Sequence, residues 1–199
     1  SVQLDFTIGE NIVKVKIEWI KIMRQHVPNL DTNLTNNDFL DLIVSCFHSA
    51  IFGTVDQNGE PHTNIVDIDF NEDGRLIFAT TNQKNFYRNI KGNNRVCLTA
   101  LRGRETLSSV GFTLKGYVDE ISLSYIDKIL EIKPEMHRIY ANKTKDINTL
   151  RPFALTPVLG SVYDLREGRA FQKQFDFMNE KEPVCSDPHF SDTLLILCD

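Results

Sequence analysis

The chain has 199 residues, of which 41% are hydrophobic and 25% are charged, a composition typical of a globular protein with one sizeable core or two small ones. Its net charge of −5 provides no general attraction to nucleic acid or to an anionic membrane surface, so we expect neither as a partner. No apolar run in the sequence is long enough to span a bilayer.

The four cysteines, at positions 46, 97, 185 and 198, include no Cys-x-x-Cys pair. Cys46 and Cys97 lie within apolar runs, where a free cysteine usually behaves as a small buried hydrophobe. We therefore expect a reducing compartment without disulfides, and a cytoplasmic location. The spacing of Cys185, His189 and Cys198 matches no common zinc pattern, so the sequence predicts no metal site.

Residues 1–35 are predicted to form an N-terminal hairpin extension followed by a linker. Apolar and polar residues alternate over 4–8 and again over 13–19, and this period of two favours a hairpin. The second of these stretches also has spacing compatible with a helix. Turn-forming residues dominate 27–35, which predicts the linker.

Residues 36–177 are predicted to form the main domain, and residues 178–199 a C-terminal tail. A helix capped by Thr35 or Asn36 comes first, and further short helices are expected from Phe86, near Ser124 and after Pro134. The predicted strands cover residues 50–55, 61–70, 76–80, 96–101, 111–119, 157–163 and 170–177. Many short strands with tight turns favour a mainly β fold, an antiparallel and nearly closed barrel with a few flanking helices. A doubly wound parallel sheet would need a long helix after nearly every strand, and such helices are missing.

The third predicted strand ends in a polar cluster, Thr80-Thr81-Asn82-Gln83-Lys84-Asn85, at the start of a helix. Free backbone N–H groups at such a start point at an anion, and the helix dipole adds a favourable potential. Asn82 is expected to cap the helix, Lys84 adds a positive charge, and Thr80 and Thr81 add hydroxyl donors. The set suits a phosphate monoester, although the same residue types are also common at ordinary helix starts.

Two glycine turns frame the second predicted strand: Asn58-Gly59 before it and Asp73-Gly74 after it. A hairpin through Asp73-Gly74 would place His62-Thr63-Asn64 beside the end of the third strand, so that one ligand could touch both. His62 could donate to a ring carbonyl or lie near a reactive carbon, or it could be a strand-end histidine in contact with water. Asp67 and Asp69 alternate along the strand and predict a solvated face rather than paired catalytic carboxylates.

Four segments taken together resemble the pyridoxamine 5'-phosphate oxidase-like family of FMN-binding split barrels: residues 59–66, 73–90, 94–100 and 111–118. The resemblance runs from about residue 36 to about residue 170. It implies a homodimer with FMN in a groove between the subunits. The flavin ring would lie along the segment His62, Thr63, Asn64, Ile65 and Val66. Ribityl and phosphate groups would be held by Thr80, Thr81, Asn82, Lys84 and Asn85, with Lys84 as the main cation.

Two departures from the family pattern bear on the reaction. True pyridoxamine phosphate oxidases carry an arginine in the second-strand motif, where this chain has His62-Thr63-Asn64. They also end in a segment with Arg and Trp that binds substrate, whereas the single Trp here is Trp19. The chain is more similar to small FMN-binding proteins and nitroimidazole-resistance-type reductases. We expect a reductase or electron-transfer protein acting on a small molecule or a redox protein, and we assign no catalytic residue. The alternatives are a barrel that uses F420 or haem, and a cofactor-free regulatory or interaction module.

Overall fold

The computed structural model describes residues 2–8, 11–17, 25–133, 136, 146–168 and 170–179. Within these ranges the chain forms three α-helices, α1 (Asn36–Leu42), α2 (Asn85–Gly92) and α3 (Tyr125–Ile132). It also forms ten β-strands: β1 (Val2–Ile8), β2 (Asn11–Ile17), β3 (Ser49–Val55), β4 (Pro61–Asp67), β5 (Phe70–Glu72), β6 (Arg75–Thr81), β7 (Arg95–Arg102), β8 (Val110–Glu120), β9 (Leu150–Asp164) and β10 (Phe171–Asp176). A π-helical turn, Ile43–Phe47, continues α1.

Eight of these strands form one antiparallel sheet in the order β4-β3-β7-β8-β9-β6-β5, with β10 added beside β9. The chain passes from one edge of this sheet to the other between β4 and β5. There the Ile68 N–H donates to the carbonyl of His48 beside β3, and the Asp69 N–H donates to the carbonyl of Ile77 in β6, both at 2.7 Å. These two bonds close the barrel at one end, while β4 and β6 share no ladder at the other. The fold is therefore the mainly β, antiparallel split barrel that the sequence predicts.

Helix α2 fills the split between β3 and β6. Phe86 packs against Phe52 of β3 at 5.8 Å between ring centroids and against Phe78 of β6 at 6.2 Å. The buried Asn89 side chain donates to the Thr54 hydroxyl of β3 at 3.3 Å. All three aromatic rings are buried, so apolar packing fixes α2 relative to both strands. The start of α2 consequently lies at the open end of the barrel.

The N-terminal hairpin is confirmed, since β1 and β2 pair along their whole length. The predicted linker is an irregular segment that packs on the barrel, because Val27 and Leu30 are buried in the core. Cations from the barrel hold its backbone: Arg166 donates to the Val27 carbonyl at 2.8 Å, and Lys173 donates to the Thr32 carbonyl. The domain boundary at residue 35 stays a prediction.

The strand β9 begins seven residues earlier than the sequence predicts, at Leu150 rather than Pro157. Pro152 and Pro157 lack the backbone N–H that a ladder uses, so their presence argues against a strand in a sequence. In the structure Pro152 pairs with Ala79 of β6, and Pro157 pairs with Gly116 beside a register shift in β8. The predicted tail beyond residue 179, with its Cys and His residues, lies outside the described residues. The helix predicted after Pro134 does so too, apart from Met136.

The outer face of the sheet exposes several apolar side chains. Ile51 and Ile65 are paired across β3 and β4 and are 44% and 79% exposed. Further exposed residues of this face are Cys97, Leu101, Tyr117 and Leu159. The prediction that Cys97 is buried is thus wrong, because its neighbours Val96 and Leu98 take the inward positions of β7, whereas Cys46 is buried as predicted. Among the described residues, no helix combines the length and apolar character needed to cross a membrane.

Candidate functional site

The helix α2 starts without a side-chain cap from any described residue. Lys84 is the N-cap residue, with an extended backbone (φ −80°, ψ 150°), and its side chain makes no capping hydrogen bond. The prediction that Asn82 caps the helix is wrong. Asn82 lies in the preceding turn, where its backbone N–H donates to the Thr149 carbonyl at 2.9 Å. The N–H groups of the first turn are therefore left to other partners, as an anion would require.

The charges around this helix start have one sign. The first turn contains no acidic residue, Lys84 is exposed, and Arg88 is exposed one turn further on. Arg88 also donates to the side-chain oxygen of Asn85, which orients its guanidinium over the start of the helix. The helix dipole disfavours cations at this end, so two cations without an acid there suit an anionic ligand. Arg88 was not predicted as a site residue from the sequence, although its i, i+4 spacing from Lys84 places both side chains on the same face of the helix.

The other residues predicted to bind the ribityl and phosphate groups differ in location: some lie at the surface, and one lies in the wall of the barrel. Thr81, Asn82 and Asn85 are half-buried or exposed around the helix start. Thr80 is buried and pairs with Arg151 of β9, so its hydroxyl lies in the barrel wall. The structure thus gathers Thr81, Asn82 and Asn85 with Lys84, and it sets Thr80 behind them.

The predicted hairpin between the second and third strands is wrong. Asp73-Gly74 closes the short ladder of β5 and β6, and within the described residues β4 pairs only with β3. The turn was correctly located, but the strand breaks at Ile68 and Asp69, where its hydrogen bonds change from β3 to β6. Any proximity of the start of β4 to the end of β6 therefore does not come from a shared ladder.

The position of residues 62–66, the segment predicted to lie along the flavin ring, follows from the pairing of β4 with β3. His62 pairs with Thr54 and Asn64 pairs with Phe52, so each shares a face with its partner. Because Thr54 and Phe52 both contact α2, His62 and Asn64 lie on the face of β4 directed toward that helix. Val66 continues this face and is buried in the core. The alternate residues Thr63 and Ile65 lie on the outer face.

His62 contacts a carboxylate at the turn between β3 and β4. Its Nε2 lies 3.3 Å from Oδ2 of Asp56, and its side chain is 43% exposed. The other oxygen of Asp56 accepts the backbone N–H groups of Glu60 at 3.0 Å and Asn58 at 2.8 Å. Chiefly these two hydrogen bonds lower the pKa of Asp56 below its usual value. The carboxylate therefore stays ionised beside the imidazole.

Asp67 and Asp69, which the sequence predicts to share one solvated strand face, differ in burial. Asp67 is exposed, as predicted, but Asp69 is buried, so its assignment to a solvated face is wrong. Nζ of Lys133, at the end of α3, lies 2.5 Å from Oδ1 of Asp69 and 3.4 Å from Oδ2 of Asp67. Burial would raise the pKa of Asp67, but the hydroxyl of Ser49 and the charge of Lys133 hold it below its usual value. This ion-pair cluster holds α3 at the closed end of the barrel.

Comparison with known proteins identifies the family of this chain. The family model described as pyridoxamine 5'-phosphate oxidase matches residues 38–158, which is more than half of the chain. None of the curated protein sequences matches this chain.

Two solved structures with TM-scores above 0.5 give the same architecture, and a third protein is similar over part of its length. A NimC/NimA family protein from Clostridium acetobutylicum is 17% identical with a TM-score of 0.51, over 72% of this chain and 96% of that chain. A second C. acetobutylicum protein, related to general stress protein 26 of B. subtilis and placed in the pyridoxinephosphate oxidase family, is 18% identical with a TM-score of 0.51, over 75% and 98%. A heme binding protein from Mycobacterium smegmatis is 13% identical with a TM-score of 0.49, over 63% of this chain. The match spans about half of that protein, 52% of its length.

Proposed function

The chain belongs to the pyridoxamine 5'-phosphate oxidase-like family, and on that premise we propose that it is an FMN-binding flavoprotein serving as a reductase or electron-transfer protein. The observation that carries the proposal is the uncapped start of α2 with Lys84, Arg88 and no acidic residue in its first turn. A phosphate monoester fits this combination of free N–H groups and cations. The phosphate of FMN is such a group.

The remaining parts of FMN have suitable neighbours in the same region. Thr81, Asn82 and Asn85 offer polar groups for a ribityl chain, and the edge strand β4 has one side without a ladder partner among the described residues. A ring lying along β4 could bond to its backbone, with His62 and Asn64 on the face toward α2. When bound, FMN would supply the hydride or single-electron chemistry, while the protein binds it, orients it and limits its contact with water.

The second-strand motif bears on the class of reaction. The chain departs here from the oxidases that act on pyridoxamine phosphate. They carry an arginine in this motif, where this chain has His62, Thr63 and Asn64. His62 is engaged with Asp56, and Thr63 lies on the outer face. This departure supports a reductase or electron-transfer role rather than vitamin B6 oxidation.

The titration of purified protein with FMN tests the proposal. We expect flavin absorption bands in the protein as isolated or after reconstitution, together with a saturable change in FMN fluorescence. Protein that carries no flavin and does not bind added FMN would contradict it. Mass spectrometry of any ligand released on denaturation separates FMN from F420 and haem, and a different ligand would replace FMN in the proposal.

The exposed outer face supports a homodimer as the working form. Ile65, at 79% exposed, and its cross-strand partner Ile51 form an exposed apolar pair, and the exposed Leu101 lies on the neighbouring strand β7 of the same face. Exposed apolar patches of this kind, rimmed by polar residues, usually mark protein interfaces. Because Thr63 and Ile65 belong to both this face and β4, a partner subunit there would lie next to the flavin site.

Substitution on this face tests the dimer. Ile65→Arg places a charge in this apolar pair and should shift the protein toward monomer in sedimentation velocity experiments. Leu123→Arg is the matched control, since Leu123 is 57% exposed but lies just before α3, outside the sheet. A wild-type protein that sediments as a monomer, or an Ile65→Arg variant that remains a dimer, would count against this interface.

A further inference from the structure

His62 differs chemically from the other predicted site residues. Of the ten, it alone carries an imidazole, which both takes up and releases a proton near neutral pH. Threonine, asparagine, isoleucine and valine side chains do not exchange protons at that pH, and a lysine ammonium generally stays protonated. A reductase that adds a hydride to a quinone also needs a proton, and an imidazole at the site can supply it.

The contact with Asp56 determines which nitrogen exchanges the proton. An ionised carboxylate can only accept hydrogen bonds, and Asp56 is kept ionised by the N–H groups of Glu60 and Asn58. Nε2 of His62, 3.3 Å from the second carboxylate oxygen, must therefore carry hydrogen whether the ring is neutral or charged. Nδ1 is then the atom that gains and loses the proton. Asp56 also restrains the rotation of the ring.

Strand pairing gives His62 its direction. His62 pairs with Thr54 in β3, and Thr54 accepts a hydrogen bond from Asn89 of α2. His62 therefore lies on the face of β4 directed toward the helix that begins with Lys84, and its side chain is 43% exposed. From this geometry we propose that His62, oriented by Asp56, is the proton-transfer residue of the site. This assignment rests on the proposed function and adds a catalytic residue to it.

The proposed reaction is the reduction of a quinone acceptor by one external reductant. A quinone becomes a hydroquinone by gaining one hydride and one proton. Bound FMN would provide the hydride chemistry, and the external reductant would be a dihydronicotinamide. The Nδ1–H bond of His62 breaks as an O–H bond forms on the acceptor, which leaves the imidazole neutral with its hydrogen on Nε2. A proton from the bulk solution then returns to Nδ1, so that one proton is consumed for each quinone reduced.

Two variants separate proton transfer from binding. His62→Gln removes the exchangeable proton and keeps a polar side chain. Asp56→Asn keeps an oxygen for the N–H groups of Asn58 and Glu60, but it replaces the oxygen beside His62 by an NH2 donor. The Kd for FMN is measured for each protein, so that all rates are compared at saturating FMN.

Reoxidation of the reduced, FMN-loaded protein is followed in a stopped-flow instrument with two acceptors. Menadione, a quinone, needs a proton with its electrons, whereas ferricyanide takes electrons alone. We expect His62→Gln to be reoxidised by menadione roughly 100-fold more slowly than wild type. Asp56→Asn should show a smaller loss, and both variants should react with ferricyanide at the wild-type rate. Nitrogen-15 NMR of labelled histidine, without added FMN, should show hydrogen on Nε2 of His62 in wild type.

The results distinguish the two levels of the proposal. If the variants bind FMN and react with menadione at the wild-type rate, His62 is not the proton-transfer residue, while the flavin function stands. An NMR spectrum with hydrogen on Nδ1 alone in neutral His62 would overturn the assignment in the same way. If wild type binds no FMN, the proposed function fails, and this assignment fails with it. An equal slowing with both acceptors would indicate a general change in the site and would also overturn it.

Discussion

Replacement of Lys84 by alanine should weaken FMN binding while leaving the fold intact. Lys84 is exposed at the start of α2, so its removal takes away a cation without opening a cavity. A hydrogen bond to a charged group contributes about 1.5 to 3 kcal/mol net. Losing one at the phosphate should therefore raise the Kd for FMN roughly 10- to 150-fold. The free energy of unfolding should change by less than about 0.5 kcal/mol, as for most surface substitutions.

Lys91→Ala is the matched control, because it removes the same charge from the other end of the same helix. Seven residues separate the two lysines, which at about 1.5 Å per residue places them about 10 Å apart along the axis. That separation equals the Debye length at about 0.1 M salt, so the charge of Lys91 is largely screened from the phosphate. Lys91 also pairs with Glu120 at 3.1 Å. We expect less than about a twofold change in Kd at this ionic strength.

Fluorescence titration with FMN measures both variants, and urea denaturation checks their stability. At about 10 mM salt the Debye length is about 30 Å, so Lys91→Ala should then begin to weaken binding. Equal changes in Kd for the two variants at about 0.1 M salt would refute a local contact between Lys84 and phosphate. An unchanged Kd in Lys84→Ala would refute the assigned role altogether.

Two further predictions concern stability and are measured by urea denaturation. Lys133→Met should lower the free energy of unfolding by about 3 to 5 kcal/mol, because it removes the cation beside the buried Asp69. Lys128→Met at an exposed ion pair should cost less than about 1 kcal/mol, and similar losses in both would contradict the expectation. Gly160→Ala should cost about 1 to 3 kcal/mol, because its Cβ would lie 2.5 Å from the ring of Phe39. Gly92→Ala meets nothing within 4 Å and serves as its control.

Strands with clean alternation were predictable to within one residue. The strand β8 runs Val110–Glu120, against a prediction of 111–119, because its apolar side chains occupy every second position on the inward face. The start of β9 was not predictable in this way. Pro152 lacks a donor, and only the neighbouring β6 shows that a proline is tolerated at that position.

Long-range partners explain the errors at the site. The turn at Asp73-Gly74 is a local signal and was predicted correctly, but no local signal reports how far its ladder extends. The burial of Asp69 depends on Lys133, which comes from α3 much later in the chain. By contrast, the cluster around Lys84 was predictable, because a strand end followed directly by a helix start is encoded in consecutive residues.

The helix α2 has two sets of residues with different roles: buried residues that pack on the barrel, and exposed residues that contribute charge to the site. Its inward residues Phe86 and Asn89 bind it to β3 and β6, so a substitution there would alter the packing of the core as well as the site. Its exposed residues Lys84 and Arg88 contribute charge and have little packing to lose. Ligand preference can therefore change through the first turn of α2 and the edge strand β4 while the barrel is maintained. That division explains physically why this fold alone does not specify a ligand, and why the flavin proposal rests on the charges at the helix start.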